Sequence, residues 1–119
     1  IKMFRSIVVK GLEALLVESM TAAAEYRVED RVLASLQETW PGIDWQKLSG
    51  TMIERVVRHG KRRAAEMREV SETLRSIGME PTMAAATATR QQWVADLGLQ
   101  VKSEDRATLV KAIREAMAR

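Results

Sequence analysis

Residues 2–27 read KMFRSIVVKGLEALLVESMTAAAEYR, and this stretch decides the fold. It contains no proline, and apolar or small residues recur in it at intervals of three and four: Phe4, Val8, Gly11, Leu12, Leu15, Leu16, Ser19, Ala22 and Ala23. That spacing is typical of an amphipathic helix. At 1.5 Å per residue the helix would be about 37 Å long, so we expect shorter helices to pack around it. A separate stripe of Lys2, Ser6 and Val9 ends in Glu13.

The beginning of this helix has no cap. Ile1 and Lys2 are already in phase with it, and neither a Ser, Thr, Asp or Asn nor an initiator Met precedes them. Helices seldom begin without a capping residue. We therefore expect the chain to be part of a longer protein, whose N-terminal part continues into this helix or docks against it.

Composition limits the classes of protein to which the chain can belong. Its 119 residues suffice for one domain, with 46% hydrophobic and 29% charged residues. Disulfides and thiolate metal sites are excluded because there is no cysteine, and one histidine cannot build a histidine metal site. No apolar run approaches the roughly 20 residues of a membrane span. We expect a cytoplasmic protein without a metal or a membrane contact.

The rest of the chain also reads as helix, because no alternating stretch is long enough for a strand. A second helix should end near Thr39, before Trp40-Pro41-Gly42. Asp44 is a good N-cap for a third helix that runs to Gly78. Its apolar stripe passes through Gly60, which either separates two helices or lies in one continuous or kinked helix, packed closely against a neighbour; the unbroken phase favours the second. Two further helices should start near Pro81 and Ser103. The prediction is an all-α domain of five to six helices over residues 1–119.

The one dense basic cluster lies in the third helix and consists of Arg55, Arg58, His59, Lys61, Arg62, Arg63 and Arg68. It is most simply a solvated face, paired with neighbouring glutamates. Alternatively it binds a phosphate or a carboxylate, for which Arg is well suited. Nucleic-acid binding through residues 55–68 is less favoured, since no aromatic residues lie among the basic ones.

Other chemistry has little support from the residues alone. The glycines form neither GxGxxG nor a phosphate loop, and a single histidine does not define a catalytic triad. Carboxylates on helices are most often solvated, and a lysine such as Lys2 is almost always exposed. A lysine can nevertheless exchange a proton with a bound hydroxyl when burial lowers its pKa.

Three separated segments resemble one known family. Lys2-Met3-Phe4-Arg5-Ser6 followed by Gly11 resembles the inter-domain helix of the β-hydroxyacid dehydrogenase superfamily, which includes 6-phosphogluconate dehydrogenase. The stretches from Arg5 to Glu13, from Trp40 to Trp45 and from Arg58 to Glu69 are similar to the group named for the C-terminal domain of an NAD-binding phosphogluconate dehydrogenase. The resemblance spans about residues 2–98, and it implies an N-terminal Rossmann domain that lies outside this chain.

The resemblance also implies roles for individual residues. Lys2 matches the lysine that acts as acid and base in oxidising a 3-hydroxy acid with NAD or NADP. The superfamily's Asn pair, which contacts substrate, falls on Arg5 and Ser6; this is a departure, since the chain contains no Asn. A later Lys-Asp-Leu pattern near the cofactor falls on Ala65-Glu66-Met67, with its lysine lost, and Arg62 or Arg63 could replace that lysine.

The resemblance thus predicts that the chain is the substrate-binding and dimerisation domain of an NAD(P)-dependent oxidoreductase. We expect the protein to be a homodimer and the isolated 119 residues to be inactive. Its catalytic residue would be Lys2, its substrate ligands Arg5 and Ser6, and its cofactor contacts Arg62, Arg63 and Glu66. The first alternative is a non-catalytic helical module for dimerisation or interaction. The second is a nucleic-acid-binding domain.

Overall fold

The computed structural model describes all 119 residues and consists of five helices without a strand. Their bounds are α1 Lys2–Glu25, α2 Glu29–Thr39, α3 Trp45–Ser76, α4 Thr82–Asp96 and α5 Arg106–Met117. The predicted all-α fold is confirmed. Both α1 and α3 contact each of the other helices, so the two longest helices form the frame on which the others pack.

The helix ends follow the predicted signals. The side chains of Asp44 and Asp105 accept hydrogen bonds from the third backbone N–H beyond them and so cap α3 and α5. Gly78 and Gly98 follow the ends of α3 and α4 with φ of 84° and 64°, a conformation that favours glycine. These capping residues explain why the helix bounds could be predicted closely.

Helix α3 is continuous through Gly60, with a kink at the preceding residue. His59 has φ −124° and ψ 15°, which is not helical, yet the helix continues on both sides. Gly60 is buried, and a Cβ there would come within 2.9 Å of the Gln91 carbonyl oxygen on α4. The expected close packing at Gly60 is therefore confirmed.

The core has two parts. The larger contains thirteen buried residues, among them Val17 and Met20 of α1, Ile53 of α3 and Ile113 of α5. The smaller lies between the second half of α3 and the start of α4, where Met3 and Ile7 of α1 pack against it. Together the two clusters hold α1 along its length, and this fixes where Lys2 and Ser6 lie.

The apolar stripe predicted for α1 is only partly the side that packs. Leu16 and Ala23 are buried as expected, but Phe4, Val8 and Leu15 are 57%, 70% and 54% exposed. Apolar residues occur on both sides of this helix, so spacing alone could not select the side that meets the core. The packed side instead contains Glu13, Val17 and Met20.

Candidate functional site

The predicted catalytic segment forms the first turns of α1. Lys2 is exposed, and Ser6 lies one turn further along the same side of the helix and is half-buried. The Ser6 hydroxyl donates a hydrogen bond to the Lys2 carbonyl oxygen at 3.1 Å. Lys2 forms no ion pair, so its amine is available to a ligand.

Arg5 lies at the edge of this segment. It is exposed and forms no ion pair. With 3.6 residues per turn, its side chain starts about 100° around the helix from that of Ser6. The two positions that match the Asn pair are thus consecutive residues of one helix, and a substrate contact by Arg5 stays a prediction.

Two turns along α1 from Lys2, the structure brings predicted cofactor residues next to a lysine. Lys10 is 12% exposed, and its Nζ lies 2.6 Å from Oε2 of Glu66 on α3. The hydrogen bond from Lys10, aided by the positive charges of Lys10, Arg62 and Arg63, holds the pKa of the Glu66 carboxyl below its usual range. Glu66 is therefore an anion that accepts hydrogen bonds.

The two arginines predicted to replace the superfamily's lysine differ in their surroundings. Arg62 is 65% exposed, and its Nε lies 3.8 Å from Oε1 of Glu66. Arg63 is 14% exposed and donates through Nε and Nη2 to both carboxylate oxygens of Glu13, at 2.9 and 2.7 Å. The guanidinium of Arg62 thus stays largely open to a ligand although it also pairs with Glu66, whereas that of Arg63 holds α3 against α1.

The burial of Glu13 contradicts the expectation from the sequence that carboxylates on helices are solvated. It is completely buried, and besides Arg63 it accepts a hydrogen bond from Gln91 on α4 at 3.3 Å. Arg55 approaches the same carboxylate to 4.0 Å. Gln91 also donates to the Lys10 carbonyl oxygen at 3.1 Å. The buried carboxylate is tolerated because cationic and polar donors from two helices compensate it.

Sequence reasoning did not identify Lys10 or Gln91 as part of this cluster. Lys10 follows Lys2 by eight residues, which places it about 80° around α1 from Lys2, so the spacing marks it only weakly. Gln91 carries no such signal, because its partners are 78 and 81 residues away in the chain. The rise of a helix places Lys10 about 12 Å from Lys2 along α1, so the structure does not bring Arg62 and Glu66 directly beside Lys2.

Two grooves between the helices lie away from this segment. One of about 580 Å³ is lined by residues of α1, α4 and α5, including Thr21, Trp93 and Met117. A second, of about 470 Å³, lies between α1 and α4, with Val8, Leu15 and Met83 on its walls. Neither contains Lys2 or Ser6. No group of acidic or histidine side chains could hold a metal ion, and no helix is long and apolar enough to cross a membrane.

Comparison with known proteins places the chain in a family. The model of the family described as "Domain of unknown function (DUF1932)" matches residues 23–94. A solved structure of a conserved hypothetical protein from Sinorhizobium meliloti 1021 has 35% sequence identity and a TM-score of 0.88, covering 97% of this chain and 40% of that one. None of the curated proteins matches.

A second solved structure carries a description of its similarity. This is the conserved protein MTH1747 of unknown function, described as structurally similar to 3-hydroxyacid dehydrogenases. It has 32% identity and a TM-score of 0.71, covering 80% of this chain and 36% of that one. The chain therefore spans less than half the length of either solved relative. Its resemblance to the hydroxyacid dehydrogenase superfamily agrees with these findings, and the family match over more than half of its residues shows that the chain belongs to the DUF1932 family.

Proposed function

We propose that the chain is the C-terminal helical domain of an NAD(P)-dependent oxidoreductase that acts on a hydroxy acid. The observation that carries the proposal is the arrangement on α1. An exposed amine without an ion pair, Lys2, lies one turn from the hydroxyl of Ser6 at the start of a long helix. The similarity to MTH1747, itself described as similar to 3-hydroxyacid dehydrogenases, supports this reading.

In the proposed reaction the nicotinamide accepts the hydride, and the residues of this chain handle the proton and the substrate. Lys2 takes the proton of the substrate hydroxyl as the hydride leaves the carbon. Ser6 holds the substrate through its hydroxyl, which has to turn away from the Lys2 carbonyl oxygen in order to do so.

The residues predicted to contact the cofactor fit it unequally. The Arg62 guanidinium is largely exposed and could pair with a cofactor phosphate. Arg63 is bound to Glu13, and the anionic Glu66 would repel a phosphate unless Lys10 and Arg62 stay beside it. No glycine-rich loop occurs in the chain, so the dinucleotide would be held mainly by a second domain.

For Lys2 to act as a base, this proposal also requires that the exposed lysine be shielded from water. A lysine becomes an effective base near neutral pH where water is excluded or another cation lies close by. In this structure Lys2 is open to solvent. We therefore propose that the nucleotide-binding domain covers the start of α1, and that the 119 residues alone do not turn over substrate.

Kinetics of the full-length protein test this function. A panel of hydroxy acids would be assayed with NAD and with NADP by the absorbance of the reduced nicotinamide. The Lys2→Met variant should lose roughly 10²- to 10⁴-fold in kcat, the range typical of a general acid or base, with an unchanged melting temperature. Lys61→Met, which removes another exposed lysine, is the matched control. Full activity of Lys2→Met, or turnover by the isolated 119 residues, would contradict the assignment.

A second candidate function, a non-catalytic module for dimerisation, is favoured by the exposed apolar residues of α1. Nucleic-acid binding has less support, because Arg58 is paired with Glu54 at 2.9 Å and Arg63 with Glu13. If the full-length protein oxidises no hydroxy acid and binds neither dinucleotide, the module becomes the better description.

A further inference from the structure

The α5 groove is the depression of about 580 Å³ between α1, α4 and α5. Val17 and Thr21 of α1 are buried at its base, and Trp93 of α4 and Met117 of α5 lie on its sides. Sites for small molecules are concave, mostly apolar and about 300–1,000 Å³ in volume, with a few polar groups among the apolar ones. The α5 groove has this size and this kind of lining.

An arginine reaches α1 at each end of the α5 groove. Arg90 of α4 donates to the carboxylate of Glu18, and Arg114 of α5 donates to that of Glu25. The two glutamates are seven residues apart, so these contacts lie about 10 Å apart along α1. The arginine side chains are 33% and 40% exposed, whereas the glutamates are 61% and 67% exposed. The guanidiniums thus lie deeper than the carboxylates, and the interior of the groove favours an anion.

The two arginines differ in the donors that they leave available. Arg114 uses only Nη2 for Glu25, so its Nε and Nη1 have no partner within the chain. Arg90 uses both Nε and Nη2 for Glu18, and its guanidinium lies 4.9 Å from the centre of the Trp93 ring. Arg90 is therefore held by its neighbours, and Arg114 is the residue that can pair with an incoming carboxylate.

The hydroxyl of Thr21 is a further polar group without a partner. The residue is 8% exposed, and its Oγ1 is buried with no hydrogen bond. Most buried hydroxyls are paired, because leaving one unpaired costs the free energy of its lost hydration. Thr21 lies one turn before Glu25 on the same side of α1, next to the contact that Arg114 makes. A ligand group bound by Arg114 would therefore lie close to this hydroxyl.

We infer that the α5 groove binds a small apolar carboxylic acid. The carboxylate pairs with Arg114 and accepts a hydrogen bond from Thr21, whose side chain turns to meet it. The ring or chain of the acid lies between Trp93 and Met117. Thr21 is nineteen residues from Lys2, about 28 Å along α1, so the site lies away from the predicted catalytic lysine. The inference does not depend on the proposed dehydrogenase activity.

Isothermal titration calorimetry of the full-length protein tests the site with two probes. One is 2-naphthoate, which carries its carboxylate on flat rings, and the other is octanoate, which carries it on a chain. At least one of them should bind with one molecule per chain, and the tighter one shows which kind of acid the groove takes. The uncharged alcohols of the same skeletons should bind at least about tenfold more weakly. Failure of both acids to bind, or equally tight binding of the alcohols, would overturn the inference.

A substitution that fills the groove locates the bound probe. Ala22 is exposed and lies on the lining of the α5 groove, so Ala22→Trp should abolish binding with a nearly unchanged melting temperature. Ala34→Trp, on the exposed side of α2, is the matched control and should bind like the natural protein. Undiminished binding by Ala22→Trp would place the probe elsewhere and overturn the inference.

Two further substitutions test the polar contacts. Arg114→Gln should weaken binding of the acid by about 10- to 100-fold, the range expected for hydrogen bonds to a charged group. Arg119→Gln removes another exposed arginine near the end of the chain and should have no effect. Thr21→Val keeps the shape of the side chain and should weaken binding roughly tenfold. Its melting temperature should be unchanged or higher, because an unpaired buried hydroxyl is lost. If Arg114→Gln and Thr21→Val both bind like the natural protein, the acid is not held in this groove.

Discussion

The carboxylate of Glu13 on α1 accepts two hydrogen bonds from the guanidinium of Arg63 on α3, fifty residues away in the chain. Glu13 is completely buried, and only 14% of the Arg63 side chain is exposed. Gln91 of α4 donates both to this carboxylate and to the Lys10 carbonyl oxygen. The ion pair and Gln91 together thus fix α1, α3 and α4 relative to one another.

Removing the arginine should destabilise the protein strongly. Arg63→Met leaves a buried carboxylate without its main partner, which typically costs about 3–5 kcal/mol in the free energy of unfolding. Chemical denaturation monitored by circular dichroism measures this cost. Arg62→Met is the matched control on the same helix. Because Arg62 is 65% exposed, this substitution should change the free energy of unfolding by no more than about 0.5 kcal/mol.

Removing both partners should cost less than removing Arg63 alone. An apolar pair of similar size leaves no buried charge, and such replacements are often neutral or stabilising. We therefore expect Glu13→Leu/Arg63→Met to recover at least part of the stability that Arg63→Met loses. If the double variant loses as much free energy of unfolding as the two single variants lose together, the contact acts through packing instead of charge.

The same ion pair shows where sequence reasoning reaches its limit. Asp44, Asp105 and Gly78 act on neighbouring backbone, so their positions predict the helix ends without knowledge of the fold. The environment of Glu13 depends on α3 and α4, and a glutamate in a helix is most often solvated. Its burial therefore could not be read from α1 alone.

The packed side of α1 could not be predicted for a related reason. Phe4, Val8 and Leu15 have the spacing of a core stripe, and so do Leu16, Met20 and their neighbours on the other side. Which stripe meets the core depends on the shapes of α3 and α4. Lys2 and Ser6 were predicted by family resemblance, whereas Lys10 and Gln91 became visible as part of a cluster only once the helices were assembled.

Gly50 should be intolerant of a side chain. A Cβ at this position of α3 would lie within 3.0 Å of the Glu104 carbonyl oxygen in the segment before α5. Since that oxygen belongs to the backbone, the whole segment would have to move, and overpacking of this kind typically costs about 1–3 kcal/mol. Gly50→Ala should therefore lower the melting temperature, as measured by differential scanning calorimetry.

Gly42 provides the control for this substitution, because a Cβ there would meet nothing within 4 Å. Gly42→Ala should leave the melting temperature nearly unchanged. If both variants melt like the natural chain, the segment before α5 is free to move away from α3, and the close approach at Gly50 contributes little to stability.

The two lysines in the first half of α1, Lys2 and Lys10, should differ in chemical reactivity. Lys10 is 12% exposed and bound to Glu66 at 2.6 Å, whereas Lys2 is exposed and forms no ion pair. An acylating reagent in brief exposure should therefore label Lys2 well before Lys10, and peptide mass spectrometry can compare the two sites. Glu66→Gln removes the anionic partner and should increase the labelling of Lys10 without changing that of Lys2. Equal labelling of both lysines in the natural chain would show that the Lys10–Glu66 contact opens readily.

Asp105 should make the stability of α5 depend on pH in the acid range. Hydrogen bonds from the Thr108 hydroxyl, at 2.7 Å, and from the Thr108 backbone N–H, at 3.1 Å, hold the pKa of Asp105 below its ordinary value of 3.8. A carboxyl whose pKa is lower in the folded state contributes stability above its unfolded pKa. That contribution is lost as the pH falls from about 3.8 through the lower folded value.

Two substitutions separate the charge of this residue from its hydrogen bonds. Asn is as good an N-cap as Asp but does not titrate, so Asp105→Asn should keep the cap and reduce the fall in melting temperature below pH 3.8. Asp105→Ala removes the cap and should melt lower than the natural chain above that pH, with the difference shrinking as the natural carboxyl is protonated. Melting curves by circular dichroism across this range measure all three proteins. An unchanged acid slope in Asp105→Asn would assign the acid sensitivity to other carboxylates, of which Glu66, whose pKa is also lowered, is the first to test.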